Sequence, residues 1–158
     1  MNSTIAKDTL SVFRELYGIK YQIRKMRLID DYWSAGLGTS SGSGSASAGS
    51  ATAADTASMN DDNTSGFNYR MVAGTSTLSM HGYGRAIDVN PFENPWCPGG
   101  RLYSNQQRSA EYANRGINTG VRKPHMIFQD SEITSIFKKH GFRWLGETGT
   151  RDYQHFEK

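Results

Sequence analysis

Ser79-Met80-His81-Gly82-Tyr83-Gly84-Arg85-Ala86-Ile87-Asp88 decides how this chain is read, and Asp152-Tyr153-Gln154-His155-Phe156-Glu157 near the C-terminus answers it. Together they supply two histidines, a carboxylate ligand and a spare acid. A hydrolytic zinc site needs three protein ligands, an open position for water and a base for the water's proton. His81 and Asp88 are seven positions apart. A strand over Arg85–Asn90 projects Asp88 from one face, with His81 on the loop before it. Gly82 and Gly84 let that loop turn back tightly, and Ser79 can hold it through a side-chain to backbone hydrogen bond.

Asp152 and His155 are three apart, and in an extended strand such residues point to opposite faces. Both reach one site only if the chain bends between them. Asp152 is therefore expected on a turn and His155 at the start of a short strand with Phe156. In this reading His81, Asp88 and His155 bind Zn2+, and Asp152 deprotonates the water. His125 follows Pro124 in a loop. His140 precedes Gly141 at a helix end, where a cation suits the C-terminal dipole. Neither is read as a ligand.

At these residues the chain resembles the zinc peptidases of peptidoglycan. That group comprises D-alanyl-D-alanine carboxypeptidases, dipeptidases and L-alanyl-D-glutamate endopeptidases, phage endolysins among them. The motif S-x-H-x-x-G-x-A-x-D is met by Ser79, His81, Gly84, Ala86 and Asp88, and the acid three before the last histidine by Asp152 and His155. The resemblance implies zinc ligands at His81, Asp88 and His155 and a catalytic acid at Asp152. Asn68-Tyr69-Arg70 is similar to the family's tyrosine-arginine segment. It implies that Arg70 faces the site and steadies the substrate carbonyl or the oxyanion, since a fixed guanidinium where charge develops lowers the barrier. Glu157 is a candidate to orient His155 through its other ring nitrogen.

The resemblance spans Thr4–Asp31 and Asp61–Lys158. It implies the α+β fold that the family shares with hedgehog signalling domains and a substrate in the stem peptides of peptidoglycan. An aspartate at position 152 resembles the endopeptidase and endolysin branch, so the L-alanyl-D-glutamate bond is favoured and D-alanyl-D-alanine carboxypeptidase is the alternative. An alternative of another class is a noncatalytic cell-wall binding module that keeps zinc for structure; a spare acid at Asp152 argues against it, because a structural site closes its fourth position. The implied location is the cell envelope, periplasmic or extracellular, in a bacterial or phage setting. The family's N-terminal strand is missing from this reading, and Met1-Asn2-Ser3-Thr4 lacks the features of a signal peptide. The sequence leaves open release by lysis, another export route, or a form without its leader.

Composition sets the outer bounds. The 158 residues fit a single domain with a real core. A net charge of +3, without a basic cluster or aromatic-basic array, gives no case for nucleic-acid binding. No apolar run suffices for a membrane span, and a monomer is expected. The lone Cys97 excludes an intrachain disulfide and reads as a packed loop thiol.

The remaining pattern is α+β: a small, mainly antiparallel sheet with helices on one side. Thr4–Tyr17 reads as a helix burying Ile5, Thr9, Val12, Phe13 and Leu16, capped by Ser3 and stopped by Gly18. Ser131–His140 reads as a second, with Ile133, Ile136 and Phe137 inward. Strands are expected at Lys25–Asp30, Phe67–Val72, Arg85–Val89, Phe142–Leu145 and His155–Glu157, and a short helix at Ser109–Asn114. Trp96, Tyr103 and Tyr112 fall in the irregular Phe92–Lys123 excursion as groove candidates. Ser34–Ser58 holds only Ser, Gly, Ala and Thr apart from Leu37 and Asp55. Such a tract is expected to be a flexible inserted loop, and shortening Ser40–Ala54 is expected to leave zinc content and activity intact.

Overall fold

The computed structural model describes residues 1–36, 48–115 and 122–158. The first helix, α1 (Ser3–Gly18), buries Ile5, Thr9, Val12 and Leu16 on one face. Its cap is Asn2 rather than Ser3: the Asn2 side chain accepts from the Thr4 backbone N–H at 3.0 Å. Two short strands, β1 (Lys25–Met26) and β2 (Asn63–Thr64), pair in parallel. A three-stranded antiparallel sheet follows, built from β3 (Ala86–Asp88), β4 (Arg143–Trp144) and β5 (His155–Glu157), with β5 in the centre. Ser65 links the two sheets by exchanging backbone hydrogen bonds with Asp88, at 3.0 and 2.8 Å.

Period-two alternation splits this sheet into a core face and a site face. Ile87 lies opposite Phe156 and Asp88 opposite His155 in the β3–β5 register. Ile87 and Phe156 point to the helical side, where α1 and α4 (Glu132–Lys139) supply Ile5, Val12, Leu16, Ile133, Ile136 and Phe137. Phe156 stacks on Phe137 with ring centroids 3.8 Å apart, and Trp144 packs beside it. Asp88, His155 and Glu157 necessarily occupy the other face, buried behind loops. The expected α+β class, with a small antiparallel sheet and α1 and α4 on one side, is what the chain adopts. Among the described residues no helix is long and apolar enough to cross a membrane.

Three expectations shift. The strand expected over Lys25–Asp30 stops at Met26, because Ile29–Gly36 coils into a 3-10 helix that buries Ile29 and Tyr32. The strand expected over Phe67–Val72 is an irregular extended arm. It is held to the metal-motif loop by three backbone hydrogen bonds, Asn68 N–H to His81, Ser79 N–H to Arg70 and Val72 N–H to Thr77. The regular pairing falls earlier, at β2, where the buried Asn63 side chain grips Arg27 through both its backbone groups.

The third shift is larger. Part of the tract expected as a flexible loop is a helix, α2 (Ala48–Asn60), with Ala51 and Ala54 buried. Alanine is the strongest helix former, and its small side chain lets α2 press closely on the 3-10 segment, where Ala54 packs with Ile29 and Tyr32. Residues 37–47 of that tract lie outside the described residues. A short helix, α3 (Ala110–Ala113), sits within the 92–123 excursion near its expected place.

Candidate metal centre and active-site cleft

The metal motif folds as a tight loop entering β3. Ser79 Oγ accepts from the His81 backbone N–H at 3.2 Å, and the Ser79 carbonyl accepts from Gly82 N–H at 2.8 Å. Gly84 turns the chain at φ +66, with its backbone against Asn2; a Cβ there would stand 2.9 Å from the Asn2 nitrogen. Glycine alone meets both demands.

His81, Asp88 and His155 converge from this loop and two neighbouring strands. His81 Nε2 stands 3.2 Å from Asp88 Oδ2 and 3.2 Å from His155 Nδ1, and His155 Nδ1 stands 3.1 Å from Asp88 Oδ1. The outer faces of both rings are occupied. His81 Nδ1 lies 2.6 Å from the Gly66 carbonyl, and His155 Nε2 lies 2.9 Å from Glu157 Oε2. Those partners only accept, so both outer nitrogens carry a hydrogen, and each inner nitrogen of a neutral ring offers a lone pair. A proton on His155 can bridge to Asp88, and a metal ion can replace it among three groups about 3 Å apart. Ligands about 2.0–2.1 Å from a tetrahedral metal stand roughly 3.3 Å apart, so the spacing fits one.

The electrostatics agree. Burial pushes the Asp88 carboxyl up, but the facing His81 and His155 rings more than offset this and hold it well below the usual carboxylate range. Burial works against charge on His155, yet Asp88 and Glu157 carry it up to about 10. The hydrogen bond from His155 brings Glu157 down to about 2 against the opposing effect of burial, with Arg143 assisting. The cluster is therefore built to hold positive charge.

Asp152 lies on a turn before β5, bridged through its backbone to Trp96. The residue is partly exposed, but its Oδ1 is sealed from solvent and has no hydrogen-bond partner. Burial raises the carboxyl to about 7, with His155 and Arg70 opposing and Asp88 adding to the rise. Arg70, on the extended arm, lines the same cleft. Its Nε is 3.0 Å from Asp55 Oδ2, although the N–H is not aimed at that oxygen. Among the described residues nothing accepts from its two Nη groups. The cleft encloses about 450 Å3, and its walls are mainly apolar, with Met71, Leu78, Trp96, Tyr103 and Leu145.

A family model described as D-alanyl-D-alanine carboxypeptidase matches residues 73–158, more than half of the chain. The chain belongs to that family. Its members are metallopeptidases that act on peptidoglycan, so the substrate is a peptide. No curated protein and no solved structure matches the chain. The family match takes in His81, Asp88, Asp152 and His155, while Arg70 and Asp55 precede it and reach the site only through the fold.

The structure thus brings together the three expected ligands and sets Asp152 and Arg70 in one cleft with them. His140 instead contacts Glu15 at 2.6 Å, and the His125 carbonyl serves Tyr21 and Asn94. Trp96 and Tyr103 pack at a tilt, ring centroids 4.4 Å apart, in the cleft wall, whereas Tyr112 packs on Phe92 away from it. Cys97 is buried, its thiol pushed up by burial. Sequence reasoning passed over Gln154. Its amide donates to Asp88 Oδ2 at 3.4 Å while Gln106 donates to its oxygen at 3.1 Å, which ties the 92–123 excursion to a ligand. It also gave Asp55 no role, and the lone acid in an alanine-rich tract was the available signal.

Proposed function

We propose that the protein is a zinc peptidase that hydrolyses stem peptides of peptidoglycan, with His81, Asp88 and His155 as ligands, Asp152 as general base and acid, and Arg70 as the oxyanion donor. The observation that carries this reading is the buried group of His81, Asp88 and His155, both outer ring nitrogens held by acceptors, with a partnerless carboxylate oxygen beside it. A structural zinc site has no use for a free buried acid. Two imidazoles and one carboxylate in near-tetrahedral spacing favour zinc over hard cations that prefer all-oxygen shells. Zinc bound there supplies a Lewis acid that polarises the scissile carbonyl and acidifies water.

The chain's own groups do the rest. Asp152 Oδ1 takes the proton of the attacking water and delivers it to the leaving amine, and a carboxyl raised to about 7 is matched to both tasks. The Nη groups of Arg70 donate to the oxygen on which charge develops. Apolar walls exclude water from that oxygen and strengthen both interactions.

Aspartate at position 152 favours the L-alanyl-D-glutamate endopeptidase over the carboxypeptidase. The test is digestion of purified peptidoglycan with the zinc-loaded protein and with Asp152→Ala, products being read by mass spectrometry. Stem peptides beginning at D-glutamate are expected, with turnover falling about 100-fold or more in a variant that keeps its metal. Release of D-alanine alone would reassign the bond, and undiminished turnover would remove Asp152 from the chemistry.

A further inference from the structure

We propose that Asp55 is the positioning residue for Arg70, which makes the alanine-rich helix α2 a working part of the active site. This rests on the reading of Arg70 as the oxyanion donor. Asp55 is the one charged residue of α2, Ala-Gly-Ser-Ala-Thr-Ala-Ala-Asp-Thr-Ala-Ser-Met-Asn. Thr52, Asp55 and Met59 fall at helical spacing on one face, and all three line the cleft. The Asp55 side chain is only 13% exposed, and a carboxylate is buried to that degree at a cost unless it is partnered.

Its partners are both on the extended arm. Asn68 Nδ2 donates to Oδ1 at 3.0 Å, and Arg70 Nε stands 3.0 Å from Oδ2. Asn68 and Arg70 are two apart on an extended segment and so project to the same side; one carboxylate clasps both. The arm in turn carries the metal loop, through Asn68 N–H to His81 and Ser79 N–H to Arg70. Helix, arm and metal loop form one connected unit.

Position matters here because Arg70 also feels Asp88 and Asp152. A guanidinium free to swing would settle on one of those carboxylates. It would then compete for a metal ligand or neutralise the base. Asp55 stands against the Nε edge of a residue that lines the cleft, and so leaves the Nη groups available to a developing oxyanion. The positioning acid thus separates the cation from the two acids on which the chemistry depends.

The test compares wild type, Asp55→Asn, Asp55→Ala, Arg70→Ala and the Asp55→Ala/Arg70→Ala double variant, all zinc-loaded, with melting and metal content measured for each. Asp55→Asn keeps the shape and should fold. It is expected to lower kcat on a stem peptide about ten- to a hundred-fold, as losses of orienting partners commonly do, with KM changed less than about two-fold. In the Arg70→Ala background Asp55→Ala should cost nothing further, because the two act as a unit. Equal losses in both backgrounds, or an unchanged kcat in Asp55→Asn, would overturn the proposal. If the wild type cleaves no stem peptide, the peptidase reading fails by itself and the arginine is read directly. The 15N relaxation of the Arg70 side chain should report a restricted guanidinium in wild type and a faster-moving one in Asp55→Asn, and identical relaxation in both would refute the positioning role.

Discussion

Glu157→Gln should weaken zinc binding about ten-fold without removing any ligand. Glu157 Oε2 accepts from His155 Nε2 at 2.9 Å, on the side of the ring away from Asp88. The carboxylate fixes the tautomer and feeds electron density to the inner nitrogen. Glutamine keeps an acceptor oxygen there and loses the charge. A hydrogen bond to a charged group contributes about 1.5–3 kcal/mol and a neutral one about 0.5–1.5, so the difference is about 1.4 kcal/mol, or ten-fold in Kd. Arg143 provides an internal control. It donates to the other oxygen of Glu157, Nε to Oε1 at 2.7 Å, but its side chain is 73% exposed. Exposed pairs contribute about 0–1 kcal/mol, so Arg143→Ala should shift Kd less than about three-fold. The assay is competition with a chromogenic zinc chelator at pH 7.5, with melting of the metal-free proteins to verify folding. A Kd for Glu157→Gln within two-fold of wild type, or an equal loss in Arg143→Ala, would refute the charge-assisted account.

His81→Ala should abolish stoichiometric zinc and with it the stabilisation zinc confers, about 4 kcal/mol in wild type at a thousand-fold excess over Kd; a variant that still melts higher with zinc would exclude His81 as a ligand. Asp62→Asn should flatten the pH dependence of stability. Burial and the neighbouring Glu93 push Asp62 up to about 7, above the roughly 3.9 of an unfolded chain. The folded state therefore holds this proton more tightly, and the associated stability is full below about pH 4 and is lost as pH rises through 7. Asparagine tolerates the φ of 55 and can still accept from Phe92 N–H through its side-chain oxygen. After allowance for partial solvent screening, the fall in stability between pH 5 and pH 8.5 should shrink by about 1 kcal/mol, and parallel profiles for the two proteins would contradict this.

The candidate metal centre was legible because the three residues expected to hold the metal sit where local geometry is dictated by residue type. Gly84 marks a left-handed turn, and Ala86-Ile87-Asp88 and His155-Phe156-Glu157 alternate at the strand period. Once Ile87 and Phe156 are assigned to the core, Asp88, His155 and Glu157 follow to the other face. The two helices of the core were equally readable, since Ile5, Val12 and Leu16, and Ile133, Ile136 and Phe137, recur at the helical period. The short strands were harder. β1 and β2 have two residues each, too few for any period to show, and they are fixed by a single side chain, Asn63, reaching across to Arg27. The partners that orient ligands were hidden for a related reason. The Gly66 carbonyl on His81 is a backbone group with no sequence signature, and Gln154 acts across 66 positions of chain.

Helix α2 shows why low complexity and low order are separate properties. A tract of Ala, Ser, Thr and Gly cannot form a core alone, because its side chains bury too little apolar surface to offset the entropy of ordering. Against an existing surface the balance changes. Alanine loses no side-chain entropy on burial, and the absence of bulk allows close approach to Ile29 and Tyr32. Tyr32 then reaches Asp61 at 2.7 Å, just beyond the helix. Removal of Ala48–Ala54 would strip the buried Ala51 and Ala54 and displace Asp55 from Arg70, so deletion within the helical part is expected to cost stability and activity, whereas a melt and turnover equal to wild type would show it dispensable. Small residues serve here because the helix lies close to the 3-10 segment and to the arm, near enough for one short aspartate to reach Asn68 and Arg70. A bulkier helix would hold its backbone farther away, and Asp55 would fall short of the arm.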